Sequence, residues 1–264
     1  MKLLLKVAVG FFAGLFFLAG SASAFGTNIT INDNRNRAVG GIGIGAEDQE
    51  TEPGMIQAQD WDLEAFYLQG TTLSMVGGFD FISGVRGYSD YQSGDIFIDI
   101  NGDAQFGIGA DENVTNYGYD FVIDLNLNGA GNSSLAYSVY DIRNGAVLQD
   151  VLEDYNSPES NPWRYTSGGE LVSGAGGMIE FMNLGSADYD GLTGGTHYAV
   201  TGIDLGFLLG VTDDFILHFT MGCGNDNLIG KATGSSPVPE PASMLLLGTG
   251  LIGIAGLGRK RWIK

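Results

Sequence analysis

The chain has 264 residues, of which 44% are apolar, with 43 glycines and only six prolines. That leaves ample material for a core and excludes a collagen-like or proline-rich polymer. Between Phe25 and Pro237, 30 acidic side chains stand against six basic ones, a net charge of −24. A body this acidic is repelled by nucleic acid and by anionic membrane surfaces, which excludes a nucleic-acid partner and leaves cations or neutral molecules such as sugars. Cys223 is the single cysteine, so the chain can form neither an internal disulfide nor a thiolate-rich metal site. It reads as a small buried hydrophobe.

Residues 1–24 begin with Lys2 and Lys6, continue through an apolar run from Val7 to Ala19 and end in Gly20-Ser21-Ala22-Ser23-Ala24. A short basic start, a hydrophobic stretch and a small-residue A-x-A site describe an export signal. The charges hold the start on the cytoplasmic side while the apolar run, expected to be helical, enters the bilayer. Signal peptidase is expected to cut between Ala24 and Phe25.

Residues 25–233 are expected to form one all-β domain. Phe25 to Pro53 reads as loop-rich. Beyond it, short runs of period-2 apolar character recur between Gly, Asn, Asp and Ser clusters. Leu63–Leu68 and Thr71–Val76 flank Gln69-Gly70 as a hairpin. Asp95–Ile100 meets a turn at Asn101-Gly102 and resumes as Ala104–Ile108. Further strands are expected at Tyr119–Leu127, Leu135–Ile142, Met178–Leu184, within His197–Leu209 and at Phe215–Met221, with Leu148–Gly177 as a long loop or insertion. Seven or more strands without a capped helical period predict a single β-sandwich, jelly-roll-like in topology.

The sharpest candidate for chemistry in this domain is Asp99-Ile100-Asn101-Gly102-Asp103, with Asp95 just upstream. Oxygen-bearing side chains at Asp99, Asn101 and Asp103 alternate as at the start of a calcium loop, so calcium is the cofactor such a site would take. Ala104 stands where such a loop has its turn glycine, and Ala110 where it has its bidentate acid. The competing and preferred reading is a type I′ hairpin turn at Asn101-Gly102 that Asp99 and Asp103 simply flank. Asp60-Trp61-Asp62-Leu63-Glu64, Asp111-Glu112 and Asp213-Asp214 are further acidic groups, read as strand ends or turns. His197 and His218 lie in strand-like runs without a ligand spacing. Trp61, Tyr88, Tyr91 and Trp163 are loop-borne aromatics that could stack on sugars. No catalytic set is identified.

The end of the chain is tripartite. A polar linker at 234–238 leads to Pro239-Glu240-Pro241, then to 17 mostly apolar residues from Ala242 to Gly258, then to Arg259-Lys260-Arg261. Seventeen helical residues span roughly 25 Å, enough for a thin hydrocarbon core. The basic cluster suits the cytoplasmic side and Trp262 the interface. Pro239-Glu240-Pro241, the glycine-containing span Leu245–Leu257 and the basic end together resemble the PEP-CTERM sorting signal, which makes 239–264 a sorting and anchoring segment. The resemblance implies recognition by an exosortase-type membrane protease after a membrane-anchored stage at the inner membrane. It further implies transfer to the cell surface or extracellular matrix of an exopolysaccharide-producing Gram-negative bacterium. Ser74–Asp80, Gly94–Asp99 and Cys223–Asp226 more loosely resemble domains of other PEP-CTERM proteins.

The expected function is that of a non-enzymatic surface or biofilm-matrix protein that associates with exopolysaccharide. The alternatives are a calcium-dependent carbohydrate-binding module and, behind it, a secreted glycoside hydrolase using a carboxylate pair.

Overall fold

Apolar residues at every second position make a strand with one face for a core, and this chain holds enough such strands for two sheets. The computed structural model describes residues 24–31, 47–52, 54–104, 117–127, 135–152 and 160–234. The expected signal helix, the sorting triplet Pro239, Glu240 and Pro241, and the apolar C-terminal span lie outside the described residues. Among the described residues no helix is long and apolar enough to cross a membrane.

Twelve strands are described: β1 (Thr27–Asn28), β2 (Thr30–Ile31), β3 (Leu63–Gln69), β4 (Thr72–Gly77), β5 (Ile96–Asp99), β6 (Phe121–Asn126), β7 (Ala136–Gln149), β8 (Arg164–Met178), β9 (Glu180–Gly185), β10 (His197–Asp204), β11 (Phe215–Thr220) and β12 (Asn227–Ala232). They form a five-stranded sheet, β1-β3-β4-β10-β9, and a seven-stranded sheet, β2-β12-β11-β5-β6-β7-β8. Every pairing is antiparallel. The two sheets pack face to face. Phe66, Met75 and Val200 of the smaller sheet share a core with Ile98, Leu217 and Phe219 of the larger, all fully buried. Each such side chain stabilises the fold by about 1.5–3 kcal/mol. Cys223 is buried in the same cluster.

The intervening residues point outward, and many of them are covered as well. Tyr67, Val76 and Ala199 cluster outside the smaller sheet; Phe97, Tyr119, Val122 and Ile142 cluster outside the larger. The expected hairpin across Gln69-Gly70 is β3–β4, with Gly70 at φ 63° in the left-handed region that glycine tolerates. The segment expected to be loop-rich instead lends one short strand to each sheet. Asn28 Oδ1 accepts the Thr30 amide at 2.9 Å at the point where the chain passes from one sheet to the other.

Three expectations are corrected. The strand order differs from a jelly roll: β5-β6-β7-β8 run as a meander within one sheet, because consecutive strands pair with each other. The partners of β5 are β6 and β11; Ala104 is not in a strand, and 105–108 fall outside the described residues. Much of the supposed loop Leu148–Gly177 is the antiparallel ribbon β7–β8. Its sequence is rich in glycine and serine because most of β8 faces solvent, and three register shifts give the ribbon its irregular period. The rings of Tyr140 and Tyr165 stack across it at 4.6 Å.

Phe25 is buried against Tyr67 and Tyr189, with ring centroids at 6.1 and 5.5 Å, whereas Ala24 is exposed. A cut after Ala24 therefore leaves an aromatic plug to hold the new end on the sheet. N-terminal sequencing of the exported protein is expected to start at Phe25; a sequence starting at Met1 would mean that the first segment is retained.

Candidate functional site

The acidic run that opens β3 does not end in solvent. Trp61 closes a 3-10 turn at Gln59–Trp61 and is buried, which draws Asp62, Leu63 and Glu64 under cover behind it. The Leu63 amide donates to Asp226 Oδ2 at 2.6 Å, fixing the start of the strand. The register with β4 then slips between Leu63, opposite Gly77, and Ala65, opposite Val76, so Glu64 sits on a bulge. A bulge re-aims a side chain that strict alternation would place elsewhere. Two strands away, His197 opens β10, also beside a register shift. Its Nε2 lies 3.3 Å from Glu64 Oε1.

The segment 47–52 and the loop before β10 close over these groups. The Gln49 amide donates to Asp62 Oδ2 at 3.0 Å, and the Gln49 side chain donates to Gln59 Oε1 at 2.7 Å and to the Thr193 carbonyl at 2.9 Å. Gln59 Nε2 donates to Glu64 Oε1 at 2.6 Å. The Thr193 amide and hydroxyl donate to the two Asp48 oxygens at 2.8 and 2.9 Å. Two glycines make room for the paired amides. A Cβ on Gly194 would lie 1.9 Å from Gln49 Nε2, and one on Gly78 would lie 1.8 Å from the Gln59 carbonyl.

Asp62 and Glu64 are each 2% exposed and His197 is fully buried. Among the described residues no lysine or arginine forms an ion pair with these carboxylates. Burial pushes both carboxyl groups well above the usual carboxylate range; neighbouring acids, Asp48 for both and Asp62 for Glu64, push in the same direction. One donor atom each from Asp48, Glu64 and His197 falls within 4.8 Å of the others. Sequence reading missed this trio, although Asp60–Glu64 was visible as an acidic run. Acids between Trp61, Leu63 and Phe66 are the one local sign that the carboxylates are buried.

Beyond Gln59 lies a cleft of about 870 Å³, bordered by Gln59, Asp60, Asp80, Arg86, Tyr88 and Tyr198. Asp80 shapes its loop by accepting the Ile82 and Ser83 amides, both at 2.9 Å. Of the expected sugar-stacking aromatics, Trp61 and Trp163 are buried, while Tyr88 is 47% exposed. Tyr88 is held by stacking on Tyr91 at 5.2 Å and by the edge of Trp61 at 5.3 Å. Gln59 forms part of the wall between the cleft and Glu64.

The residues of the expected calcium loop are divided between two structural tasks. Asp95 is buried; its oxygens accept the Leu125 and Tyr165 amides, each at 2.8 Å, tying β6 to β8. Asp99 folds the turn after β5. Its Oδ1 accepts the Asn101 and Gly102 amides at 2.9 and 2.7 Å, and its Oδ2 accepts the Ala104 amide at 3.1 Å. Asn101 and Asp103 are exposed, and Asp120 joins them by accepting the Ile100 amide at 2.8 Å. Asp111 and Glu112 lie outside the described residues. His218 is buried in β11 with its ring stacked on Tyr119 at 5.8 Å.

No curated protein and no solved structure matches the chain. Residues 237–261, by contrast, match the PEP-CTERM protein-sorting motif, so the chain carries the signal of an exported, exosortase-sorted protein.

Proposed function

We propose that this chain is a non-enzymatic surface or matrix protein that holds exopolysaccharide in the cleft beside Tyr88. The observation that carries the reading is the sorting motif at 237–261, an address for the cell surface. The cleft supports the rest: an exposed aromatic ring among hydroxyl, amide and carboxylate groups suits a neutral polyhydroxyl chain. Asp62 and Glu64, whose carboxyl pKa values burial raises, lie behind Gln59 rather than in the cleft, which disfavours a hydrolase there.

Two measurements test this. In a Gram-negative host that has the protease, replacing Pro239, Glu240 and Pro241 with alanine is expected to leave a longer, membrane-retained species; identical mass and location would remove the sorting role. On a glycan array, the exported protein is expected to bind neutral polysaccharide, and Tyr88→Ala to weaken binding about tenfold or more. Binding that requires calcium and is lost on Asp99→Ala would instead assign the calcium-dependent module. Glycan cleavage would assign the hydrolase.

A further inference from the structure

The geometry points to a closed binding site for a divalent transition-metal ion, zinc foremost, formed by Asp48, Glu64 and His197 on the outer face of the five-stranded sheet. This inference is independent of the saccharide reading. A buried imidazole and buried carboxylates are costly unless their polar atoms find partners. Among the described residues neither nitrogen of His197 has a hydrogen-bond partner, and Glu64 Oε2 and Asp62 Oδ1 have none either. His197 is fully buried, and its Nε2 lies near Glu64 Oε1 without hydrogen-bond geometry. A cation between His197 Nε2 and the carboxylates supplies the partner that this buried nitrogen lacks.

The spacing fits such an ion. Ligands about 2.1 Å from a tetrahedral zinc lie about 3.4 Å from each other; Nε2 and Oε1 are 3.3 Å apart, and all three donors fall within 4.8 Å. Imidazole among the ligands selects zinc and its transition-metal neighbours over calcium and magnesium, which take oxygen alone. Both carboxylate ligands are oriented from outside: Thr193 orients Asp48 and Gln59 orients Glu64.

The ion's task follows from the placement of its ligands. Asp48 belongs to the segment 47–52, Glu64 to β3 and His197 to β10. Metal here cross-links three stretches distant in sequence, in an exported chain whose lone cysteine cannot make an internal disulfide.

The test uses untagged exported protein, stripped with chelator and titrated with Zn²⁺, Mn²⁺, Ca²⁺ and Mg²⁺ by calorimetry and thermal melting. One Zn²⁺ per chain is expected, with a Tm rise of about 5–10 °C at a hundredfold excess over Kd. Asp48→Asn changes only the half-buried, segment-borne ligand and is expected to fold, with zinc affinity reduced at least a hundredfold. His197→Gln is expected to abolish the visible absorption of Co²⁺ bound in place of zinc. Absence of zinc binding to the stripped protein overturns the assignment. So does an equal Tm rise with all four cations that Asp48→Asn leaves unchanged, which would reflect only screening of the acidic body.

Discussion

Asp95→Ala is expected to lower the stability of the folded domain by about 3 kcal/mol, since one buried and one half-buried amide donor lose their acceptor and each costs roughly 1–3 kcal/mol. Asp95 stands at the entrance to β5, where its own amide donates to the Trp163 carbonyl at 3.0 Å while its carboxylate receives Leu125 and Tyr165. One side chain thus joins three strands of the larger sheet near the base of the β7–β8 ribbon. Asp95→Asn keeps one acceptor oxygen and presents an NH₂ to the other amide, so about half of the loss is expected. Chemical denaturation of the three proteins measures the series. The deficit is expected to be the same with calcium and with chelator; a deficit that appears only with calcium would return Asp95 to a metal site.

The second large effect is a response to acid set by His218. Burial pushes its imidazole from 6.5 down to about 3. With the folded pKa depressed, the unfolded chain takes up a proton that the folded chain refuses. The stability contribution of His218 is therefore fully present above pH 6.5 and is lost as pH falls toward 3. Between pH 7 and pH 4.5 the loss is about 2.5 kcal/mol. Asp95 acts in the opposite direction. Burial raises it to about 7, so its contribution is full below 3.8 and is lost as pH rises through 7. The two effects offset each other across their shared window, and the comparison must remove one of them. His218→Phe keeps a ring beside Phe97 and Tyr119 and leaves Asp95 unchanged. The variant's stability change between pH 7 and pH 4.5 is expected to be more favourable than the wild-type change by about 2.5 kcal/mol. Parallel curves for the two proteins would show that His218 does not titrate on unfolding in this range.

The two kinds of acid in this domain differ in what they replace. Asp95 and Asp99 each take the place of backbone partners at a strand end, accepting amides that no neighbouring strand reaches. Asp62 accepts the Gln49 amide and Glu64 only the Gln59 side chain, each keeping one oxygen without a hydrogen-bond partner among the described residues. That difference separates a structural aspartate from a ligand, and both kinds occur within Asp-rich runs that look alike in sequence.

The all-β class, the β3–β4 hairpin across Gln69-Gly70 and the sorting signal were legible in the sequence, because period-2 patterning, turn residues and a linear motif are local properties. The start of β7 was legible as Leu135–Ile142, but β8 was not, because its glycines and solvent-facing polar residues give no alternation to read and its stability rests on pairing with a neighbour. Nor was the site. By sequence alone Asp60–Glu64 is a charged strand end and His197 an ordinary strand residue. The bulge at Glu64, the covering segment with Asp48 and the crossing of β4 between β3 and β10 set the imidazole against the carboxylates. The sequence by itself determined where the chain is sent and that it builds sheets. Only the tertiary structure decided which acids are buried without a counter-charge, since burial depends on what packs over a residue from distant parts of the chain.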